Sequence, residues 1–459
     1  MNSRPGRYHP ILILRSLRKT LALYLLPLIR VLFERDWPAV RTALRQDLAL
    51  FAFLSVFSWV LLSVSGWELD NGALRLHWDL CFRLERTIRP GAAAALTIER
   101  PLLFRLMGAS RVTLYLTGEK RDRKVTLCLS RRDADALADQ LLPAGGAEYR
   151  HTFTGGEKLA LALLGANFLS TLALLALALR ESRQFPTDAH TLAFAQLSQA
   201  AAFAERWLPA GLAWLLVLTV AVSGASILRS AAQTARYTVW RTPELVCSRG
   251  GLVRRYEYRI RTAQISFADL RLSPGALLMR RRPVFVTVAG FADELPLFVC
   301  RTGRETMLDA LLPGFQMPPR GRVDIRRRSL VFFAPAGVPL AVCLLLAAVA
   351  SYTLPALTIP LLAGAGIALV FLAAAAAGYL REGAWVRGGR LTLCRQHGLH
   401  LHCLCVFHPD TALLLRQSPW AAAARRANLT FAFPGRVRRT VRSIPLADAE
   451  ACMEAGERG

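Results

Sequence analysis

The sequence predicts a polytopic α-helical membrane protein that carries three related soluble domains, all on the cytoplasmic side. Three observations predict it: long apolar runs without charge, arginine crowded into the segments between them, and a three-fold repeat within those segments. The bulk composition agrees, since 459 residues combine 53% hydrophobic with 20% charged side chains. Such a mixture follows when spans alternate with basic polar stretches. The formal charge of +26 is compatible with nucleic acid or with a membrane surface, so its placement has to decide.

A helix crossing the hydrocarbon core needs about 20 apolar residues. Leu48–Trp67, Leu159–Leu179, Leu208–Leu228, Leu330–Tyr352 and Ala356–Leu380 satisfy this with no charge inside. In lipid only a helix satisfies its own backbone over such a run. A sixth segment, Leu21–Phe33, is shorter and contains Arg30. It reaches span length if Ile11–Leu14 extend it, with Arg15, Arg18 and Lys19 snorkelling to one interface and Arg30 to the other.

Orientation comes from the basic residues that flank the spans. Arg326, Arg327 and Arg328 directly precede the fifth span, Arg229 and Arg381 follow the fourth and sixth, and a basic cluster opens the chain. All of these face inward if both termini and the three long polar segments are cytoplasmic. The expected location is a membrane crossed several times, with both termini cytoplasmic. Nine scattered cysteines, an odd number, fit reduced thiols rather than a disulfide framework. The first apolar stretch lacks the small-residue cleavage site of a signal peptide.

The expected organisation is a basic N-terminus with the first helix pair over 1–67 and a soluble domain over 68–145. A second pair over 159–228 encloses an outer segment, 180–207. A domain over 229–316, a third pair over 330–380 and a domain over 381–459 complete it. The polar segments repeat. Pro101 leads to Gly118, Pro274 to Gly290 and Pro419 to Gly435 at nearly equal spacing, each across a strand-like run. An alternating strand and a short amphipathic helix follow, at Arg132–Leu142, Thr302–Leu312 and Ala447–Ala455. In the outer segment, Thr187 and Asp188 are placed to cap a helix that runs to Arg206 along the outer surface.

Ile265-Ser266-Phe267-Ala268-Asp269-Leu270-Arg271-Leu272-Ser273-Pro274 resembles the signature of bacterial PH-like domains in YdbT-like membrane proteins, as does Arg249–Arg255 upstream. Tyr8-His9-Pro10 and the order of helix pairs and domains are also similar to that family. Ala92 and Asp410 stand where it usually has isoleucine. The resemblance implies three PH-like β-barrel domains and a cytoplasmic-membrane location. It implies no established activity.

Candidate chemistry is sparse. Cys394, His397, His400, His402, Cys403, Cys405 and His408 are ligand types that zinc prefers. However, the repeat puts 399–405 on a strand, with His400 and His402 on one face and Cys403 and Cys405 on the other. No metal and no cofactor is therefore assigned. Arg280, Arg281 and Arg282 and Arg326, Arg327 and Arg328 are the candidate contacts for anionic lipid headgroups or a partner protein. No aromatic interleaving accompanies them, which argues against nucleic acid.

No phosphate-binding glycine loop or nucleophile elbow marks an enzyme, and no catalytic residue is assigned. The five uncharged spans lack the mid-membrane ionisable residues of ion-coupled carriers; Asn167 is their most polar side chain. The function expected is a non-enzymatic scaffold that binds a protein or lipid at the cytoplasmic face. The alternatives are a lipid or small-molecule export factor and a membrane enzyme with dispersed catalytic residues.

Overall fold

The computed structural model describes residues 4–12, 52–60, 62–70, 72–79, 83–117, 124–164, 188–289, 291–292, 296–302, 306–318, 334–407, 411–433 and 437–458. Four antiparallel sheets organise them. The first is β1 (Arg4–Arg7), β2 (Ser65–Asp70), β3 (Ala73–Asp79) and β4 (Arg83–Ile88).

The second holds β5 (Ala93–Arg100), β6 (Ala109–Leu116), β7 (Lys124–Ser130), β8 (Tyr149–Thr152), β9 (Thr238–Arg241), β10 (Leu245–Gly250) and β11 (Arg255–Arg261). The third holds β12 (Phe267–Leu272), β13 (Arg281–Val288), β14 (Phe291–Ala292), β15 (Phe298–Arg301), β16 (Gly383–Arg387), β17 (Arg390–His397) and β18 (His400–Val406). The fourth is β19 (Ala412–Arg416), β20 (Arg426–Phe433) and β21 (Val437–Pro445).

Each repeat unit is thus one meander of strands, a second meander in the next sheet, and a closing helix. Neighbouring units are joined strand to strand. In the second sheet β5 of unit 1 pairs with β11 of unit 2, with Thr97 opposite Tyr258. In the third, β12 of unit 2 pairs with β18 of unit 3, with Asp269 opposite Leu404.

Side chains alternate across a strand, so these shared sheets feed two cores at once. Leu245 and Cys247 enter the first core while Val246 between them enters the second. Phe267, Leu404 and Val406 enter the third core; Ala268, Leu270, Cys403 and Cys405 enter the second. A strand buried on both faces loses its polar–apolar alternation, which is why β5 opens on the apolar run Ala93-Ala94-Ala95-Leu96, whereas β12 keeps Asp269 and Arg271 among its apolar residues. Leu74, Leu96, Leu114, Leu393 and Phe431 are fully buried in this stack. Truncating one such leucine to alanine costs about 2–5 kcal/mol.

The helices are α1 (Leu102–Leu106), α2 (Arg131–Leu141), α3 (Gly155–Leu164), α4 (Asp188–Ala204), α5 (Ala210–Thr234), α6 (Pro274–Leu278), α7 (Thr306–Leu311), α8 (Ala334–Thr353), α9 (Thr358–Arg381), α10 (Pro419–Ala423) and α11 (Leu446–Arg458). Three of them plug the cores. Leu137 and Leu141 of α2 close the first, Leu308 and Leu311 of α7 the second, and Ala449 and Cys452 of α11 the third. Ser130 caps α2 by accepting the Asp133 N–H at 3.2 Å.

This architecture corrects the polytopic expectation. Among the described residues two helices are long and apolar enough to cross a membrane, Leu216–Thr234 and Pro355–Ala376, and the bulk of the fold is the stack of four sheets. A multi-pass helical membrane protein with three separate barrels is not what forms.

One of the expected spans fails for a visible reason. Leu48–Trp67 leaves its helix for β2 at Ser65, and Trp67 is core. Hydropathy reports apolar length, not whether lipid or another part of the chain covers it. Of Leu159–Leu179 only 159–164 are described, inside α3, where Ala160, Leu161 and Ala162 are buried. The segment Leu21–Phe33 and residues 165–187 lie outside the described residues, whereas α4 falls where the outer-segment helix was expected.

Candidate functional site

The proline of each repeat starts a short helix between two strands. Ser273 caps α6 through the Ala276 N–H at 3.1 Å, and Ser418 caps α10 through the Ala421 N–H at 3.2 Å. Each turn ends on a residue in the left-handed region: Gly108 at φ 69°, Arg280 at φ 51° and Arg425 at φ 49°. That reversal sends the chain into the next strand and leaves the outer face of the helix uncovered. The tips are apolar: Leu106 is 76% exposed, Leu278 87% and Trp420 86%. Leucine and tryptophan displayed this way, on three equivalent turns, form a repeated surface feature rather than scattered apolar residues.

The tip of unit 1 sits in a basic surround. Arg105 on α1 donates to the Leu252 carbonyl at 3.1 Å, which links α1 to the β10–β11 turn. That turn is fixed to the C-terminal end of α5, because Gly251 and Leu252 donate to the Ala235 and Ala232 carbonyls at 2.9 Å each. Leu102, Leu103, Leu106, Met107, Leu252 and Val253 are all exposed around this junction. A cleft of about 250 Å³ runs through it, lined by Leu102, Leu106, Arg105, Arg131 and Arg255.

Arg105, Arg236, Arg249 and Arg131 are close enough to Arg255 to hold its pKa below the ordinary arginine value. Arg131, Arg236, Arg249 and Arg255 have no carboxylate within 4.0 Å among the described residues, whereas nearby Arg254 pairs with Glu99 and Arg100 with Asp135. Unneutralised cations around an apolar tip suit an anionic, amphipathic partner.

Of the predicted arginines among the described residues, only Arg280 occupies a turn. Arg281 and Arg282 are the first residues of β13, opposite Arg301 and Cys300, not a loop. Arg281 Nη1 lies 3.7 Å from Glu157 Oε1 at the start of α3, so part of its charge is already answered. Glu157 itself is countered by burial. Hydrogen bonds from Thr154 and the charge of His151 outweigh that and hold its pKa below the usual carboxylate range. Arg326, Arg327 and Arg328 lie outside the described residues.

The cysteine–histidine cluster resolves into two unrelated groups, with His408 outside the described residues. Cys394 and Cys403 face each other across β17 and β18 with sulfurs 3.0 Å apart, inside the second core. The Cys403 contact and burial raise the Cys394 thiol well above its ordinary value, which suppresses the reactive thiolate. On the other face, His402 Nδ1 lies 2.8 Å from Asp269 Oδ2, and Arg271 Nε donates to the same oxygen at 2.9 Å. No group of three or more metal-ligating side chains forms among the described residues.

A polar groove at the seam of units 1 and 2 has a volume of about 770 Å³; its acids are taken up by Arg100 and Arg259, and Arg131 and Arg249 also line it. Arg259 pairs with Asp139 at 2.7 Å and with Glu257 at 2.9 Å.

The exposed tips escaped the sequence reading although a signal was present. Leu102 and Leu103, Leu277 and Leu278, and Trp420 all lie within the first four residues after the three repeat prolines, where a surface turn would otherwise be polar. No family model, curated protein or solved structure matches the chain.

Proposed function

We propose that this protein is a non-enzymatic, membrane-anchored binding platform whose α1 tip and surrounding arginines engage an anionic lipid surface at the cytoplasmic face of a bacterial membrane. The observation that carries the reading is the junction at the end of α5. There, one helix of membrane-span length and hydropathy meets exposed Leu102, Leu106 and Leu252 and the cluster of Arg105, Arg131, Arg236, Arg249 and Arg255. Juxtamembrane arginines gain about 1 kcal/mol each from an anionic leaflet. Burying a leucine adds about 1.5–3 kcal/mol.

The motif at 265–274 and the unit order support membership of the bacterial PH-like group as part of this proposal. The non-enzymatic part is supported by the constellation of Asp269, His402 and Arg271, in which the carboxylate is 1% exposed and tied to its own and the neighbouring strand.

The test uses full-length protein with Leu106→Cys carrying a polarity-sensitive fluorophore, reconstituted in lipid nanodiscs. Blue-shifted emission with phosphatidylglycerol, and a smaller shift with phosphatidylcholine alone or with Arg105, Arg249 and Arg255 changed to Ser, is expected. A probe that stays water-like in phosphatidylglycerol refutes the proposal. A shift that appears only when cell extract is added assigns the tip to a protein partner instead.

A further inference from the structure

A second cleft lies at the other helix pair, apart from the α5 junction. Helices α8 and α9 and the β17–β18 hairpin enclose a cleft of about 490 Å³, within the size range of ligand pockets. Cys343, Ile367 and Phe371 form an apolar wall, and Glu382, Arg395 and Arg442 lie at the polar end.

The sequence builds this end deliberately. Gly378 lets α9 press onto β17, since a Cβ there would fall 2.3 Å from Gln396 Cβ. Glu382, 3% exposed at the helix terminus, accepts the Gln396 N–H at 2.9 Å and locks strand to helix. The hairpin turn at Gly398, φ 57°, then lies against the Phe371 ring.

The charges at this end do not balance. Burial, then the neighbouring Arg439, depresses Arg395; Glu382 opposes this only in part, and Arg442 adds to it. His397 is likewise pushed down by burial and by Arg395, Arg439 and Arg442, which favours its neutral form. Among the described residues, the guanidinium groups of Arg395, Arg439 and Arg442 thus lie near one carboxylate, Glu382, that is already hydrogen-bonded. An anion relieves that crowding, and the contiguous apolar wall gives it a tail.

We infer that this cleft binds one molecule of an anionic amphiphile, a long-chain carboxylate or phosphate monoester. Its head sits between Arg395 and Arg442 and its chain lies along Cys343, Ile367 and Phe371. The site differs from the α5 junction in holding a single molecule in a cleft rather than meeting a bilayer surface.

The test places the full chain in phosphatidylcholine nanodiscs and photolabels it with a diazirine-bearing palmitate, reading labelled peptides by mass spectrometry. Labelling of α8 and α9 near Cys343 and Phe371 is expected, competed by dodecyl phosphate but not by dodecanol. Arg395→Gln with Arg442→Gln, and separately Ala368→Phe, which fills the cleft, should each reduce it about tenfold. Unfolding midpoints in the same nanodiscs verify that each variant folds, and Ala368→Phe alone decides if the double variant does not. Equal competition by dodecanol, or labelling unchanged by Ala368→Phe, overturns the proposal. Full competition by inorganic phosphate at the same concentration also overturns it, leaving an anion site without a tail. Loss of the α5 tip signal leaves these outcomes untouched, so the two proposals fail separately.

Discussion

Asp269 shows what one buried charge does in this fold. It is 1% exposed, bonded to His402 across the seam between units 2 and 3 and to Arg271 on its own strand. Arg271 is held from its other side by the Phe285 ring, 3.7 Å from its guanidinium carbon. Burial alone would raise the carboxyl pKa. The His402 hydrogen bond and charge, followed by Arg271, override it and hold the group below its ordinary range. A folded pKa below the unfolded value stabilises fully above the unfolded pKa, and the stabilisation disappears as pH falls through the folded one. Asp269→Asn should therefore destabilise the protein at neutral pH by on the order of 3 kcal/mol, because it leaves Arg271 and His402 partly unanswered. The same variant should lose much of the acid sensitivity below the usual carboxylate range. Denaturant unfolding between neutral and acid pH measures both. An unchanged neutral midpoint would mean that the pair contributes nothing net.

At the scale of elements, the turns carry the proposed binding surface. Gly251 adopts φ 94°, and a Cβ on it would lie 1.9 Å from the Arg254 carbonyl oxygen. Gly251→Ala should cost about 1–2 kcal/mol or more through strain at this left-handed position. It should also loosen the contacts that hold Leu252 to α5, so thermal unfolding and hydrogen exchange at 251–255 should shift together. Leu278→Ser, by contrast, changes an exposed tip and should alter stability by no more than about 0.5 kcal/mol.

This contrast bears on what the sequence makes legible. The repeat was readable because Pro101, Pro274 and Pro419 each begin the same local turn, and local rules govern turns. The span ending at Trp67 was misjudged because coverage by distant strands is not local information. The cleft at Arg395 and Arg442 was invisible for the same reason. It joins β17 to β21 and α9, which only the tertiary fold brings together.

For the whole molecule, the shared sheets decide how the three units respond to damage. Independent barrels would each keep their own hydrogen-bonded edges, and a lesion in one would stay there. Here β12 pairs with β18 along six positions from Phe267–Val406 to Leu272–Leu401, and both faces of that sheet are core. Leu404 is fully buried in the third core, while its neighbours Cys403 and Cys405 enter the second. Leu404→Ala leaves a cavity worth about 2–5 kcal/mol in unit 3. It also weakens the strand that covers the edge of β12 in unit 2. Cooperative units exchange their amides together, so the lesion should reduce protection in β12 and β13 as well as in β17, β18 and β20, while β2 and β3 stay protected. Hydrogen exchange by mass spectrometry resolves those peptides. Loss of protection confined to 383–458 would show that the strand pairing joins the units without coupling them. Loss reaching β12 would show that each unit is stable only as a layer of the stack, and that the three exposed tips are held at fixed relative positions by the sheets themselves.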